Sequence, residues 1–164
     1  MDLGYLKIKI DIKSEHDEYK KKYEYKRKEM KREEIKKIFD GFKEFFKADG
    51  HFKFKENEHS IAAEYKGHAI KLEMDIYSNV DSKDFNLAGT IKTYEKDTYE
   101  FLVEGISNAE LTLPPPDISQ HERMVHDSRY YKDFLEDTIS YNFVYRISGR
   151  DGHYTTINAL LLAL

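Results

Sequence analysis

The chain has 164 residues, enough for one domain with a sizeable core, and its 14% aromatic content (thirteen Tyr, ten Phe) excludes a disordered chain. It holds no cysteine, which excludes disulfides, thiolate metal sites and thiol nucleophiles. Its formal net charge of −4 is uneven: residues 20–37 (KKKYEYKRKEMKREEIKK) contain ten bases and four acids, carrying +6 and leaving −10 for the remainder, an arrangement suited to a partner that bears both signs of charge.

Tyr5 to Lys13 reads YLKIKIDIK, in which Leu6, Ile8, Ile10 and Ile12 alternate with Lys7, Lys9, Asp11 and Lys13. That is the period of a strand with one buried face. Ser14 is then placed to cap a helix, with Asp17 three residues on as its partner. The helix is expected from about Glu15 to Ala48, where Asp49-Gly50 stops it. Ile35, Ile38, Phe39, Phe42, Phe45 and Phe46 make an apolar stripe on its second half. Tyr19, Tyr23 and Met30 on the first half point about 120° away from that stripe. The second half is therefore expected to dock on the core while residues 15–34 project as a basic half or cover a separate patch, with Gly41 as a weak point where the helix bends.

From His51 the period becomes two. Strands are expected at His51–Lys55, through Ile61, Ala63 and Tyr65, along Ile70, Leu72, Met74 and Ile76, through Leu87 and Ile91, and at Tyr99–Val103, with turns near Asn57, Gly67 and Lys96-Asp97 and a polar loop from Asn79 to Asp84. Consecutive strands without room for crossover helices imply antiparallel pairing. Pro114-Pro115-Pro116 forms a stiff connector after Leu111-Thr112-Leu113. Ser119 with Glu122 reads as a capping box that opens a second helix, carrying Met124, Tyr131, Phe134 and Leu135 on one face. Tyr141, Phe143, Tyr145 and Ile147 alternate again. Gly149-Arg150-Asp151-Gly152 is a turn, and the apolar run that closes the chain reads as a last strand, with a short buried helix as the alternative. The expected fold is α+β over residues 1–164 as a single domain: a mainly antiparallel sheet of six or more strands, packed by the long N-terminal helix and a second helix near 119–138.

Among candidate sites the basic stretch ranks first. On a helical wheel Lys21, Lys28, Arg32, Lys36 and Lys43 gather on one strip, with Tyr25 among them. Such a strip can meet an acidic protein surface, or neutralise phosphates while Tyr25 stacks on a base. Glu29, Glu33 and Asp40 on the adjoining flank support the plainer reading of a solvated helix face. Glu122 and His126 lie four apart and would share a helix face, a weak candidate for one metal ion with Asp117 as a third ligand. Glu64-Tyr65-Lys66, paired with Asp75, has the residue types of a metal-dependent nuclease. The row Tyr141, Phe143 and Tyr145 has the spacing of a base-stacking platform on an open sheet. No phosphate-cradling loop or Ser-His-Asp set is present.

The function expected from this pattern is a small non-enzymatic protein-binding module, of the kind that inhibits or confers immunity to a nucleic-acid-handling enzyme. Direct nucleic-acid binding through residues 20–37 is the alternative, and a metal-dependent nuclease comes third. No cofactor is expected, and pairing with a second copy is open. The longest apolar run falls well short of the ~20 residues of a membrane span, and no leader pattern opens the chain. The protein is accordingly expected in the cytoplasm.

Overall fold

Helix α1 runs unbroken from Leu3 to Lys47 in the computed structural model, which describes residues 1–164. The strand read at 5–13 is therefore helix, and Ser14 is interior to it. The cap lies further back. Asp2 Oδ1 accepts hydrogen bonds from the N–H groups of Gly4 (2.9 Å) and Tyr5 (3.2 Å). Once that turn exists, each added residue gains a hydrogen bond for a single pair of fixed dihedrals, which outweighs the mild helix reluctance of the isoleucines. Asp17, the expected capping partner, instead accepts from Lys13 one turn back at 2.8 Å. The helix stops where the sequence says, at a turn closed by Gly50 with φ of 84°.

The buried line along α1 is longer than its apolar stripe. Tyr23, Arg27, Lys31, Glu34, Ile35, Ile38, Phe42 and Phe46 are all buried. Apart from the adjacent Glu34 and Ile35 they follow each other at spacings of three and four, but the middle of the line is charged. A hydrophobicity reading breaks it there and reports two unrelated faces. Gly41 is no bending point. A Cβ on it would lie 2.5 Å from Asn158 Oδ1 and 2.6 Å from Ile157 Cγ2, so glycine here permits close approach of another helix.

The chain forms two compact units. One comprises Met1–Glu29 with Ser107–Tyr141, the other Met30–Ile106 with Asn142–Leu164. In the first, the early turns of α1 meet α3 (Gln120–Leu135). Ser119 caps α3 through the N–H of Glu122 at 3.2 Å, as its capping box predicts. Tyr23 stacks on Tyr131 at 4.7 Å between ring centres and meets Phe134 edge-on at 5.2 Å.

The second unit is built on a six-stranded antiparallel sheet whose spatial order follows the chain: β1 (Lys53–Asn57), β2 (Ser60–Tyr65), β3 (His68–Glu73), β4 (Leu87–Lys92), β5 (Thr98–Ser107) and β6 (Tyr141–Ile147). Register pairs Ile61 with Leu72, Leu72 with Ile91 and Ile91 with Tyr99, which sets one apolar row across four strands. Lys66 and Gly67 both take positive φ (50° and 79°) in a two-residue turn whose twist suits the β2–β3 hairpin. Ile38, Phe42, Ile61, Leu72, Ile91 and Val103 form the core with the rest of that face. Each large apolar side chain there contributes ~1.5–3 kcal/mol by leaving water. The α+β class, the antiparallel sheet and the two long helices thus agree with the sequence reading.

Besides the strand read at 5–13, two elements differ from it. Met74 and Ile76 do not extend the third strand. Asp75 caps a short helix α2 (Ile76–Asp81), accepting from Ser78 N–H, in place of the expected polar loop. The apolar C-terminus is a helix too. After an isolated bridge between Tyr145 and Tyr154, Thr156 caps α4 (Ile157–Leu162), which buries Ile157, Leu160 and Leu161. A run apolar at every position satisfies either element, and the Thr156 cap decides the matter. No helix is long and apolar enough to cross a membrane.

Candidate functional site

The predicted cationic strip lies along α1. In the first unit Lys21 is exposed, Tyr25 is 69% exposed and Lys28 is half-buried. In the second unit Arg32 and Lys36 are exposed and border a shallow hollow shared with Phe39, Glu56 and Ile76. Lys43 is engaged: its ammonium sits 3.4 Å from Glu56 and over the Phe54 ring. Tyr25 is a single exposed ring set among cations.

A stronger feature of the first unit was hidden by the strand reading. The opening turns of α1 hold Leu3 (67% exposed), Tyr5 (58%), Ile8 (57%) and Ile10 (53%) in solvent. At 100° per residue Leu3, Leu6 and Ile10 fall on one side of the helix and Tyr5, Ile8 and Ile12 on the other. A period-two pattern placed on a helix has no single apolar face, so the helix shows apolar surface on both sides. The signal in the sequence is the alternation itself, once the segment is known to be helical.

The basic stretch also supplies cations that do structural work. Lys26 donates to the Phe134 carbonyl at 2.7 Å and pairs with Asp137 at 2.7 Å, closing the C-terminus of α3 where its dipole is negative. Lys31 is fully buried. Its ammonium donates to Ser82 Oγ (2.5 Å), the Asp84 carbonyl (3.1 Å) and the Ser82 carbonyl (3.4 Å). Burial alone would raise the Asp84 carboxyl, but the Asn86 N–H, the Ser82 hydroxyl and Lys31 together hold it below the usual carboxylate range. Deeper in the same unit the Tyr145 hydroxyl donates to the buried Glu34 carboxylate. Burial, and then Glu34, push the Tyr145 phenol far above its ordinary value. The expected base-stacking row is accordingly closed: Tyr145 is core, Phe143 packs against it, and the Tyr141 hydroxyl bonds Tyr130 at 2.6 Å. Tyr130 in turn reaches Tyr23 at 3.4 Å, and burial followed by the Tyr141 bond raises its phenol strongly.

The nuclease and metal candidates are dispersed. Glu64 pairs outward with Lys55 at 3.2 Å, Lys66 covers the Tyr65 ring, and Asp75 serves as the α2 cap. Glu122 and His126 lie four apart on α3, and His126 Nδ1 is 3.6 Å from Asp127. No group of three or more His, Asp or Glu is arranged to hold a metal ion. A concavity of about 800 Å³ in the second unit is lined by the acids Glu73, Asp75, Asp84 and Glu100 beside Asn79 and Phe101. The Asn79 amide there is fully used, bonding the Asp75 and Ala88 carbonyls and the Ala88 N–H.

No family model, curated protein or solved structure matches the chain.

Proposed function

We propose that the protein is a non-enzymatic binding module that docks a protein partner through the early turns of α1. The observation that carries this reading is the solvent exposure of Leu3, Tyr5, Ile8 and Ile10, followed along the same helix by Lys21 and the exposed Tyr25. Apolar anchors and a ring flanked by cations suit a partner with an apolar cleft and an acidic rim. The acidic remainder of the chain supports a role as an inhibitor or immunity partner of a nucleic-acid-handling enzyme, with carboxylates standing where phosphates would sit.

The test is affinity capture with wild type, with the variant Leu3→Ser/Ile8→Ser/Ile10→Ser, and with Lys21→Glu/Lys28→Glu. The expected result is a protein retained by wild type and lost from both variants. Fluorescence anisotropy with short single- and double-stranded nucleic acid runs beside it. Salt-sensitive binding that only the charge-reversed variant loses, with no protein captured, replaces this reading with direct nucleic-acid binding.

A further inference from the structure

The connector between β5 and α3, in the first unit, combines rigidity with exposed apolar surface. Residues 110–115 belong to no helix, strand or turn. Proline fixes φ near −65° at 114, 115 and 116. Each of Leu113, Pro114 and Pro115 precedes a proline, which removes the helical region for all of them. Together the two restrictions favour polyproline II backbone at 113–115, with Pro116 opening a turn into Asp117. That helix repeats every three residues, so Leu113 and Pro116 share one edge. Leu113 is 86% exposed, and Pro116 is exposed as well. An apolar edge is thus turned outward rather than inward.

Both ends of the segment are clamped. Asn108 exchanges backbone and side-chain hydrogen bonds with Ser140 (3.0 Å each) and donates to the Thr138 carbonyl (3.3 Å). The Ser107 hydroxyl bonds both backbone groups of Ala109. At the far end Ser119 caps α3. Between the clamps lies a hollow of about 670 Å³, lined by Leu111, Leu113 and Pro115 on the connector and by His126, Tyr130 and Ile139 on the rest of the unit. The prolines stiffen the connector and also restrict the unfolded chain, while Leu113 beside them is left in solvent. The flanking Glu110 and Asp117 are exposed and acidic.

The geometry points to a second interaction surface: Leu113–Pro116 is a preformed polyproline II ligand, presented by its Leu113 and Pro116 side chains to a partner domain with an aromatic-lined groove and a cationic rim. Aromatic grooves of this kind take polyproline II segments because little ordering entropy is lost on binding. The two clamps lower that loss further. The rim follows from Glu110 and Asp117, which an acidic rim would repel. This inference is independent of docking through the early turns of α1.

The experiment titrates the ¹⁵N-labelled full chain with isolated SH3, WW and EVH1 domains, chosen to include cationic-rimmed members. The expected result is that at least one such domain shifts the amide signals of Leu111, Thr112, Leu113 and Asp117, with a dissociation constant below about 1 mM. Leu113→Ser and Pro116→Ala weaken that domain at least about tenfold, while Thr112→Ala, on another edge, changes it less than about twofold. Absence of shifts in residues 109–119 with every domain overturns the inference. So does binding that the Leu113 and Pro116 variants leave unchanged. The substituted side chains are exposed, and unaltered signals from α3 in each variant verify that the unit remains folded.

Discussion

Replacing Lys31 by Met is the most informative single change. The side chain is fully buried, so Met keeps the stem volume and removes only the ammonium. The loss takes their donor from the carbonyls of Ser82 and Asp84, which accept from Lys31 at 3.4 and 3.1 Å, and takes one partner from the Ser82 hydroxyl, which still has the Asn79 carbonyl and the Asp84 carboxylate within reach. A buried polar group left without its partner costs ~1–3 kcal/mol. Breaking a buried ion pair typically costs ~3–5 kcal/mol. The Asp84 side chain is 58% exposed and 3.6 Å from the ammonium, so water screens that part of the interaction and it contributes less than a buried pair would. The expected destabilisation is about 2–4 kcal/mol, equivalent to a fall in Tm of roughly 4–16 °C for a chain of this size. Urea denaturation measures it, with Lys36→Met on the exposed strip as a control expected within about 0.5 kcal/mol of wild type. Amide hydrogen exchange should also quicken around residues 82–86. The opposing effect is the cost of removing an ammonium from water, which Met does not bear. If Lys31→Met is as stable as wild type, that cost matches or exceeds the gain from the oxygen cage, and Lys31 does not hold the 82–84 segment in place.

Tyr145→Phe removes the donor to the buried Glu34 carboxylate and should cost ~1–3 kcal/mol in chemical denaturation. Glu34→Gln should cost less, because the amide oxygen still accepts from Tyr145. Gly41→Ala gains ~1 kcal/mol of helix propensity, but its Cβ meets the stiff, buried Ile157 side chain. Overpacking of ~1–3 kcal/mol should win, giving a net loss in thermal stability. Burial raises the phenols of Tyr130, Tyr131, Tyr141 and Tyr145 above 10.0. The unfolded chain therefore releases protons near pH 10 that the folded chain retains. Stability is complete below that pH and is lost as pH rises beyond it. A near-ultraviolet phenolate titration should show a late, cooperative step coincident with loss of circular dichroism, and simple titration of every tyrosine near pH 10 without unfolding would contradict the burial.

Much of this architecture is written locally. The period of two in Ile61–Ala63 and Tyr141–Ile147, the Lys66-Gly67 turn, the Ser119–Glu122 capping box and the Asp49-Gly50 stop each act within a few residues, and each appears where the pattern puts it. The Tyr5–Lys13 alternation has the same local clarity yet becomes helix, because cooperative extension from the Asp2 cap is available to it. The basic strip likewise has its composition in the sequence but its division of labour in the fold. Lys21 and Lys36 face solvent, while Lys26 and Lys31 hold distant backbone carbonyls. No periodicity distinguishes a lysine that dissolves a surface from one that fills a cage of oxygens.

The sequence alone determined the class of the fold, the antiparallel pairing and the helix and hairpin stops, since those follow from periodicity and turn chemistry. Tertiary structure decided which charged residues of α1 are buried, that the C-terminal apolar run is helical, and that the opening turns of α1 stay apolar in water. The first of these depends on oxygen atoms and side chains brought from more than fifty positions away, as Ser82 and Asp84 are to Lys31, and Tyr145 to Glu34. Burial of a charge is favourable only once such partners are in place, so it can be read only after the chain has folded.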